Sequence, residues 1–224
     1  MSTLLASYNT STIVFSSVIT KEIEDFYSAE FKQSIEIYKF SFPSNETRPI
    51  EKVVEMLRND LNYHLYISLD CQAVIGISLL YIFSSLNIGL LDYIAVIPSY
   101  HRRGVGNALF RFTLKKFNSI VNNGVGLLME VQREDGAALE QKIARKSTIK
   151  FYMNLGGKIL DGVRYLLPLL QYGMDPEEMY LIVRPLKQIP SLSKGCTLAY
   201  IGAIYTTIYQ YQDKDLYTNV TGNA

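Results

Sequence analysis

The spacing of apolar and polar residues outlines most of the elements of the chain. Residues 12–18 form a short β-branched run, read as a first strand. Residues 23–40 have helical character, and Phe42-Pro43-Ser44-Asn45-Glu46 interrupts it. Residues 49–61 read as a second helix, with Pro49 at its start and Val53, Val54, Met56 and Leu57 at i, i+3, i+4 spacing. Residues 63–70, 73–83 and 88–96 look like three successive strands, the last ended by Pro98. A helix of about three turns follows over 105–117. Asn122-Asn123-Gly124 is a turn and 125–131 another strand. Residues 132–146 are polar and expected to be a mobile loop. A short helix over 147–155 is closed by Gly156-Gly157. Residues 158–160 and 179–183 look like final strands. Residues 185–195 link to a last helix over 198–211, where Tyr200, Ile201, Ile204, Tyr205, Ile208 and Tyr209 make one apolar face. The order implies a mixed α/β (α+β) domain with a central twisted sheet flanked by helices.

Composition narrows the classes of function. The chain has 224 residues, 48% of them apolar and 19% charged, with a net charge of +1. That supports a sizeable core and excludes a disordered tail, a polybasic nucleic-acid arm and an acidic solvating chain. An anionic ligand must therefore be held by a local arrangement. Cys71 and Cys196 form no disulfide framework and suggest a reducing compartment, so a cytoplasmic location is expected. The first twenty residues do not read as a secretory signal, because no basic residue precedes their apolar stretch. Residues 71–91 carry no charge and are long enough to span a membrane on count alone. Ser84 to Asn87 breaks the run like a hairpin turn, so two buried strands are expected and no membrane partner. Asn9, Asn45 and Asn219, each in an Asn-x-Ser/Thr triplet, then read as chance matches.

The sharpest local signal is Ile97-Pro98-Ser99-Tyr100-His101-Arg102-Arg103-Gly104-Val105-Gly106, which joins a strand to a helix. Such a junction presents unpaired N–H groups and the positive end of the helix dipole, which together suit a phosphate. Gly104 and Gly106 let the backbone approach a ligand closely. Arg102 and Arg103 add charge, and Arg111, Lys115 and Lys116 follow on the helix. Alone, a Gly-x-Gly turn is equally a simple tight turn.

Its setting is more specific. Together with the preceding Ala95 and Val96, this stretch resembles motif A of the GNAT superfamily of N-acetyltransferases, Q/R-x-x-G-x-G/A after a strand ending in a hydrophobic-Ala-Val run. Ile149-Lys150-Phe151-Tyr152-Met153-Asn154-Leu155-Gly156-Gly157 resembles the second signature of that family, an aromatic-Tyr-x-x-Leu-Gly stretch. The resemblance spans residues 10–185. It implies the GNAT-type acyl-CoA N-acyltransferase fold over residues 1–187, with 188–224 as a linker and a C-terminal helix packed on it. It implies acetyl-CoA, or another acyl-CoA, as co-substrate. The main-chain amides of Arg102, Arg103, Gly104, Val105, Gly106 and Asn107 would hold the pyrophosphate. Ile94, Ala95 and Val96 would pair with the pantetheine arm like an added strand, and an N–H near Val96 would serve a developing oxyanion. His101 departs from the family pattern, standing where Gln or Arg is usual. Arg145-Lys146-Ser147-Thr148 also departs, standing where Asn-x-x-Ala is frequent.

The implied reaction is transfer of the acyl group to a primary amine, on a small molecule or peptide, by direct attack in a ternary complex. Tyr152 matches the general-acid Tyr of the family; a phenol, with pKa about 10, can protonate a departing thiolate. The base is open among Asp92, a lone carboxylate in an apolar strand, Glu130 near the end of the next strand, Glu46 in the break between the first two helices, and a water chain. Asp92 and Ile94 are expected on one sheet face by strand alternation. Residues 132–146 and 40–48 are expected to shape the acceptor pocket. Two other readings stand beside the enzyme: a non-catalytic acyl-CoA binding or regulatory module on the same fold, and a binder of another phosphate ligand such as a nucleotide. No Lys-Ser/Thr follows the turn as in a Walker loop. No Cys/His set has zinc spacing, so no metal is expected. His64 reads as a packing histidine. Net charge near zero argues against a nucleic-acid face. The Tyr-rich last helix reads as packing, with a homodimer contact as the alternative.

Overall fold

The computed structural model describes residues 18–42, 47–168, 177–187 and 192–211. Most of the expected first strand and all of Glu46 lie outside them. In chain order the elements are β1 (Ile19–Glu22), α1 (Ala29–Ser41), α2 (Ile50–Asn59), β2 (Tyr63–Asp70), β3 (Ala73–Phe83), β4 (Ile88–Val96), α3 (Val105–Ile120), β5 (Gly126–Gln132), α4 (Leu139–Asn154), β6 (Lys158–Ile159), β7 (Tyr165–Leu167), β8 (Glu177–Pro185) and α5 (Lys194–Ala203). A single π turn, Ile204–Ile208, continues α5.

The strands form one sheet in the order β1-β2-β3-β4-β5-β8-β6, with β7 also on β8. Every pairing is antiparallel except β4 with β5. The sheet buries both faces. One core joins α1, α2 and α5 to the sheet through Tyr38, Val53, Leu57, Leu90, Leu128, Tyr200 and Ile201. The other joins α3 and α4 through Leu109, Phe110, Phe117 and Tyr152 to Leu91, Met129 and Ile182. No helix among the described residues is long and apolar enough to cross a membrane. The uncharged stretch 71–91 instead holds all of β3 and the start of β4, separated by a 3₁₀ turn that ends on Asn87 at φ +51°.

Four of the differences from the sequence reading have a clear local reason. The first helix begins at Ala29 because Ser28 caps it, its Oγ accepting from Phe31 N at 3.1 Å. Ahead of it Ile23 N still bonds Leu65 O at 2.9 Å, extending the β1 edge. The expected loop 132–146 is helical from Leu139, but that half of α4 is exposed and carries no apolar stripe to reveal it. Arg145 secures it by donating to Arg133 O at 2.7 Å and pairing with Glu177 at 3.0 Å. Strand β7, absent from the sequence reading, has three residues, too few for a period to register. The last helix starts earlier, at Lys194, capped by Ser193.

Candidate active site

The sheet opens between β4 and β5. Ile88, Gly89 and Leu90 pair in parallel with Gly126, Leu127 and Leu128, and there the pairing stops. Beyond it β4 remains on β3 as far as Val96, while β5 remains on β8 as far as Gln132. Each strand leaves with its own half of the sheet. The gap opens into a cavity of about 660 Å³. Leu91 to Val96 on β4, Glu130, Val131 and Gln132 on β5, Phe40 and Phe42 at the end of α1, and Gln141, Arg145, Thr148 and Tyr152 on α4 line it.

A β-bulge shapes the β4 wall. Leu79 pairs with Tyr93 and Leu80 with Leu91, so Asp92 is the extra residue. Simple alternation assumes an unbroken ladder, and the bulge breaks it. Asp92 therefore faces away from Ile94, correcting the sequence expectation: Ile94 packs with the α3–α4 core, and Asp92 reaches Arg48 and Tyr63 on the opposite face. The Asp92 side chain is only 2% exposed. The residue as a whole is half-buried, so its contribution to the cavity wall is main chain.

Arg48, just before α2, forms a buried ion pair with Asp92 and donates from Nη2 to Tyr63 Oη at 2.8 Å. Tyr63 in turn donates to Asp92. Tyr38 Oη donates to Arg48 O at 3.0 Å, and the guanidinium carbon sits 5.5 Å from the Tyr93 ring centroid. Burial works against the charge of Arg48, but Asp92 beside it holds the guanidinium charged well above its ordinary range. Its Nε and Nη1 atoms are buried without a hydrogen-bond partner among the described residues.

Glu130 lies on the same face as this pair. Tyr165 of β7 donates to its Oε1, and Tyr209, just past the π turn, donates to Oε2 at 2.8 Å. Burial pushes the carboxyl up to about 7, although both phenols favour its charged form. Tyr152 enters from the other face, held by Phe151 and Phe110 with ring centroids 5.1 and 6.1 Å away. Its hydroxyl makes no hydrogen bond among the described residues. Burial alone raises its pKa above the usual phenol range, so it stays protonated and is a donor without a partner.

Main-chain groups complete the gap. Ile97 N bonds Ile75 O at 2.9 Å on β3, so alternation turns the N–H and C=O of Val96 and Ile94 toward the opening. Ala95 pairs with Ile77 instead and contributes its side chain to the cavity wall. His101 Nε2 lies 2.6 Å from Val96 O. A carbonyl only accepts, so His101 carries a proton on Nε2, and its side chain is spent on the strand end.

The turn into α3 leaves the start of that helix bare. Gly104 is the N-cap at φ +85°, in the left-handed region that glycine adopts readily, and no side chain caps the helix. The first intrahelical bond runs from Ala108 N to Gly104 O at 3.0 Å, which leaves the N–H groups of Val105, Gly106 and Asn107 ahead of the ladder. A Cβ on Gly106 would meet only ordinary contacts, Phe151 at 3.6 Å and Val96 at 3.8 Å. The fold thus does not itself demand glycine there; its bare backbone is room for a ligand. Arg102 and Arg103 are exposed beside it, and Arg103 lies 5.2 Å over the Tyr100 ring. Tyr100 ties the turn to the β2–β3 hairpin by donating to Asp70 Oδ2 at 2.7 Å. These residues suit coenzyme A: N–H donors for a diphosphate at the helix start, and open strand groups for an amide-bearing arm.

Strand β4 is thus bulged and splayed from a parallel β5 above an uncapped glycine turn. The model of the acetyltransferase (GNAT) family matches residues 23–141, and the chain belongs to that family. Among solved structures, a putative GNAT-family acetyltransferase from Bacteroides thetaiotaomicron is similar at a TM-score of 0.67 and 21% identity, over 87% of this chain and 99% of that one. An aminoglycoside 6'-N-acetyltransferase complexed with coenzyme A is similar at 0.56 and 17%, over 77% and 99%. The ribosomal-protein-S18-alanine N-acetyltransferase of Escherichia coli is similar at 0.54 and 15%, over 79% and 99%. No curated protein sequence matches the chain.

Of the site residues named from sequence, Glu130, Tyr152, Ile94, Ala95 and Val96 line one cavity, and Asp92 lines it through its main chain. Residues 102–107 stand beyond its end at the start of α3. Sequence reasoning missed Arg48, Tyr63, Tyr165 and Tyr209. Arg48 is a lone cation in a helix break, Tyr209 reads as packing with the rest of the last helix, and nothing in the sequence singles out Tyr63 or Tyr165.

Proposed function

We propose that the protein is an N-acetyltransferase that moves an acetyl group from acetyl-CoA to a primary amine by direct attack in a ternary complex. The observation that carries this reading is that Glu130 and Tyr152, whose hydroxyl has no partner among the described residues, line one cavity from opposite sheet faces beside the free edge of β4. When bound, the coenzyme would supply the activated thioester. The N–H groups of Val105, Gly106 and Asn107 would hold its diphosphate, and the main chain of Ile94 and Val96 its amide arm. Glu130, its pKa raised by burial to about 7, takes the proton of the incoming ammonium. Tyr152 donates its proton to the departing sulfur. Asp92 is assigned to architecture instead: its carboxylate is spent on Arg48 and Tyr63.

Neighbours on this fold are named for acceptors as different as a ribosomal protein and an aminoglycoside, so the fold leaves the acceptor free to vary. The test is release of CoA thiol from acetyl-CoA across a panel of primary amines. Tyr152→Phe and Glu130→Gln are each expected to lower kcat by about 10²-fold or more while leaving the Kd for acetyl-CoA unchanged. A wild type that binds acetyl-CoA and never turns over identifies a binding module instead.

A further inference from the structure

The family match ends at residue 141, yet both phenols on Glu130 come from beyond it. Tyr209 arrives on an element that is firmly built in. Tyr200, Ile201, Ile204, Tyr205 and Ile208 are all buried in the same core as Leu128 of β5. Tyr205 Oη donates to Leu166 O of β7, and Tyr211 N bonds Tyr205 O at 2.9 Å. The π turn ends with Tyr209 N on Ile204 O at 3.4 Å, a spacing of five residues. A π turn inserts one residue into the helical period and so re-aims the side chains C-terminal to it, and such turns recur at functional sites. Here the next side chain, Tyr209, lines the cavity and reaches Glu130 Oε2. Packing alone does not require a wider turn with a phenol aimed at a carboxylate.

We infer that the C-terminal segment 192–211 is a working part of the site, with Tyr209 as a positioning residue that holds the Glu130 carboxylate through Oε2 and sets the pH at which it ionises. The inference rests on the reading of Glu130 as the base. The groups facing Glu130 are Tyr165 from β7, Tyr209 after α5, Asp92 from β4 and Arg48 from before α2; the charges of Asp92 and Arg48 oppose each other, and the two phenols donate. Opposite on β8 its pair is the apolar Leu181. Removing the Tyr209 donor therefore subtracts more stabilisation from the charged carboxylate than from the protonated acid.

The test needs no acceptor. Protein carrying ¹³C at the glutamate side-chain carboxyl is titrated by NMR, and the Glu130 signal is assigned by its loss in Glu130→Gln. Tyr209→Phe is expected to move the Glu130 midpoint upward by about one pH unit, a tenfold change in proton affinity. Tyr209→Leu makes the same test should the phenylalanine variant not fold. A midpoint that stays in place in a folded variant overturns the inference. Rates with acetyl-CoA and an accepted amine separate it from the underlying reading. If Glu130→Gln keeps the full rate, the base assignment fails whatever the titration shows. If Glu130→Gln loses the rate but Tyr209→Phe leaves both the midpoint and the acid limb of kcat/KM in place, the inference alone fails.

Discussion

Asp92 and Tyr93 are neighbours in a strand, yet both side chains turn to the same face of the sheet. The bulge that allows this sends a carboxylate to Arg48 and leaves its own main chain at the cavity wall. One inserted residue thus builds a buried charge pair and shapes the gap beside it.

Breaking that pair is expected to be costly on one side and cheaper on both. Arg48→Met strands a buried carboxylate and should lower stability by about 3–5 kcal/mol. Adding Asp92→Asn should restore more than half of the loss, because no charge then remains unpaired. Urea unfolding of the two single variants and the double variant measures this, and additive losses would contradict it.

Glu130 makes stability depend on pH with a definite sign. Its folded pKa, about 7, lies above the ordinary carboxylate value, so folding favours the protonated form. That contribution is complete below about pH 4.5 and is lost as pH rises through 7, on the order of 3 kcal/mol. Glu130→Gln should therefore unfold at a higher denaturant midpoint than wild type at pH 8, with the difference much reduced at pH 5. With Glu130 as the proposed base, activity is expected to run the other way, rising with pH through about 7 as that carboxyl loses its proton.

Tyr152→Phe removes a hydroxyl that has no hydrogen-bond partner among the described residues. Its unfolding free energy should stay within about 0.5 kcal/mol of wild type. A larger loss would show that the hydroxyl has a structural role.

Gly104 separates conformation from contact. A Cβ there meets nothing within 4 Å, so Gly104→Ala should cost only the left-handed backbone term, about 1–2 kcal/mol. Gly104→Glu adds a negative charge beside the free N–H groups and should weaken acetyl-CoA binding by tenfold or more, measured by calorimetry. An unchanged Kd would remove the turn from the coenzyme site.

Legibility in the sequence followed the physics of each element. β2, β3 and β4 appear at their expected residues because turn residues at Asp70-Cys71-Gln72 and Ser84 to Asn87 bound long apolar runs. The start of α3 was fixed by Pro98 and the two glycines. The first half of α4 was hidden because a solvated helix carries no stripe. The bulge was hidden for a deeper reason: it is a relation between Asp92 and the register of Leu79 and Leu80, and no single strand records it. Glu130 was visible as an acid in an apolar strand, but its partners lie 35 and 79 residues away. Nothing in the sequence ties those tyrosines to it.

Three rungs join the two antiparallel halves of the sheet, and each strand at the fork keeps its bonds to its outer neighbour. The fork is therefore a notch between two halves that each keep their own ladder. A guest entering it meets a berth already cut to shape, so docking should proceed near the speed of encounter and with little reordering of the host.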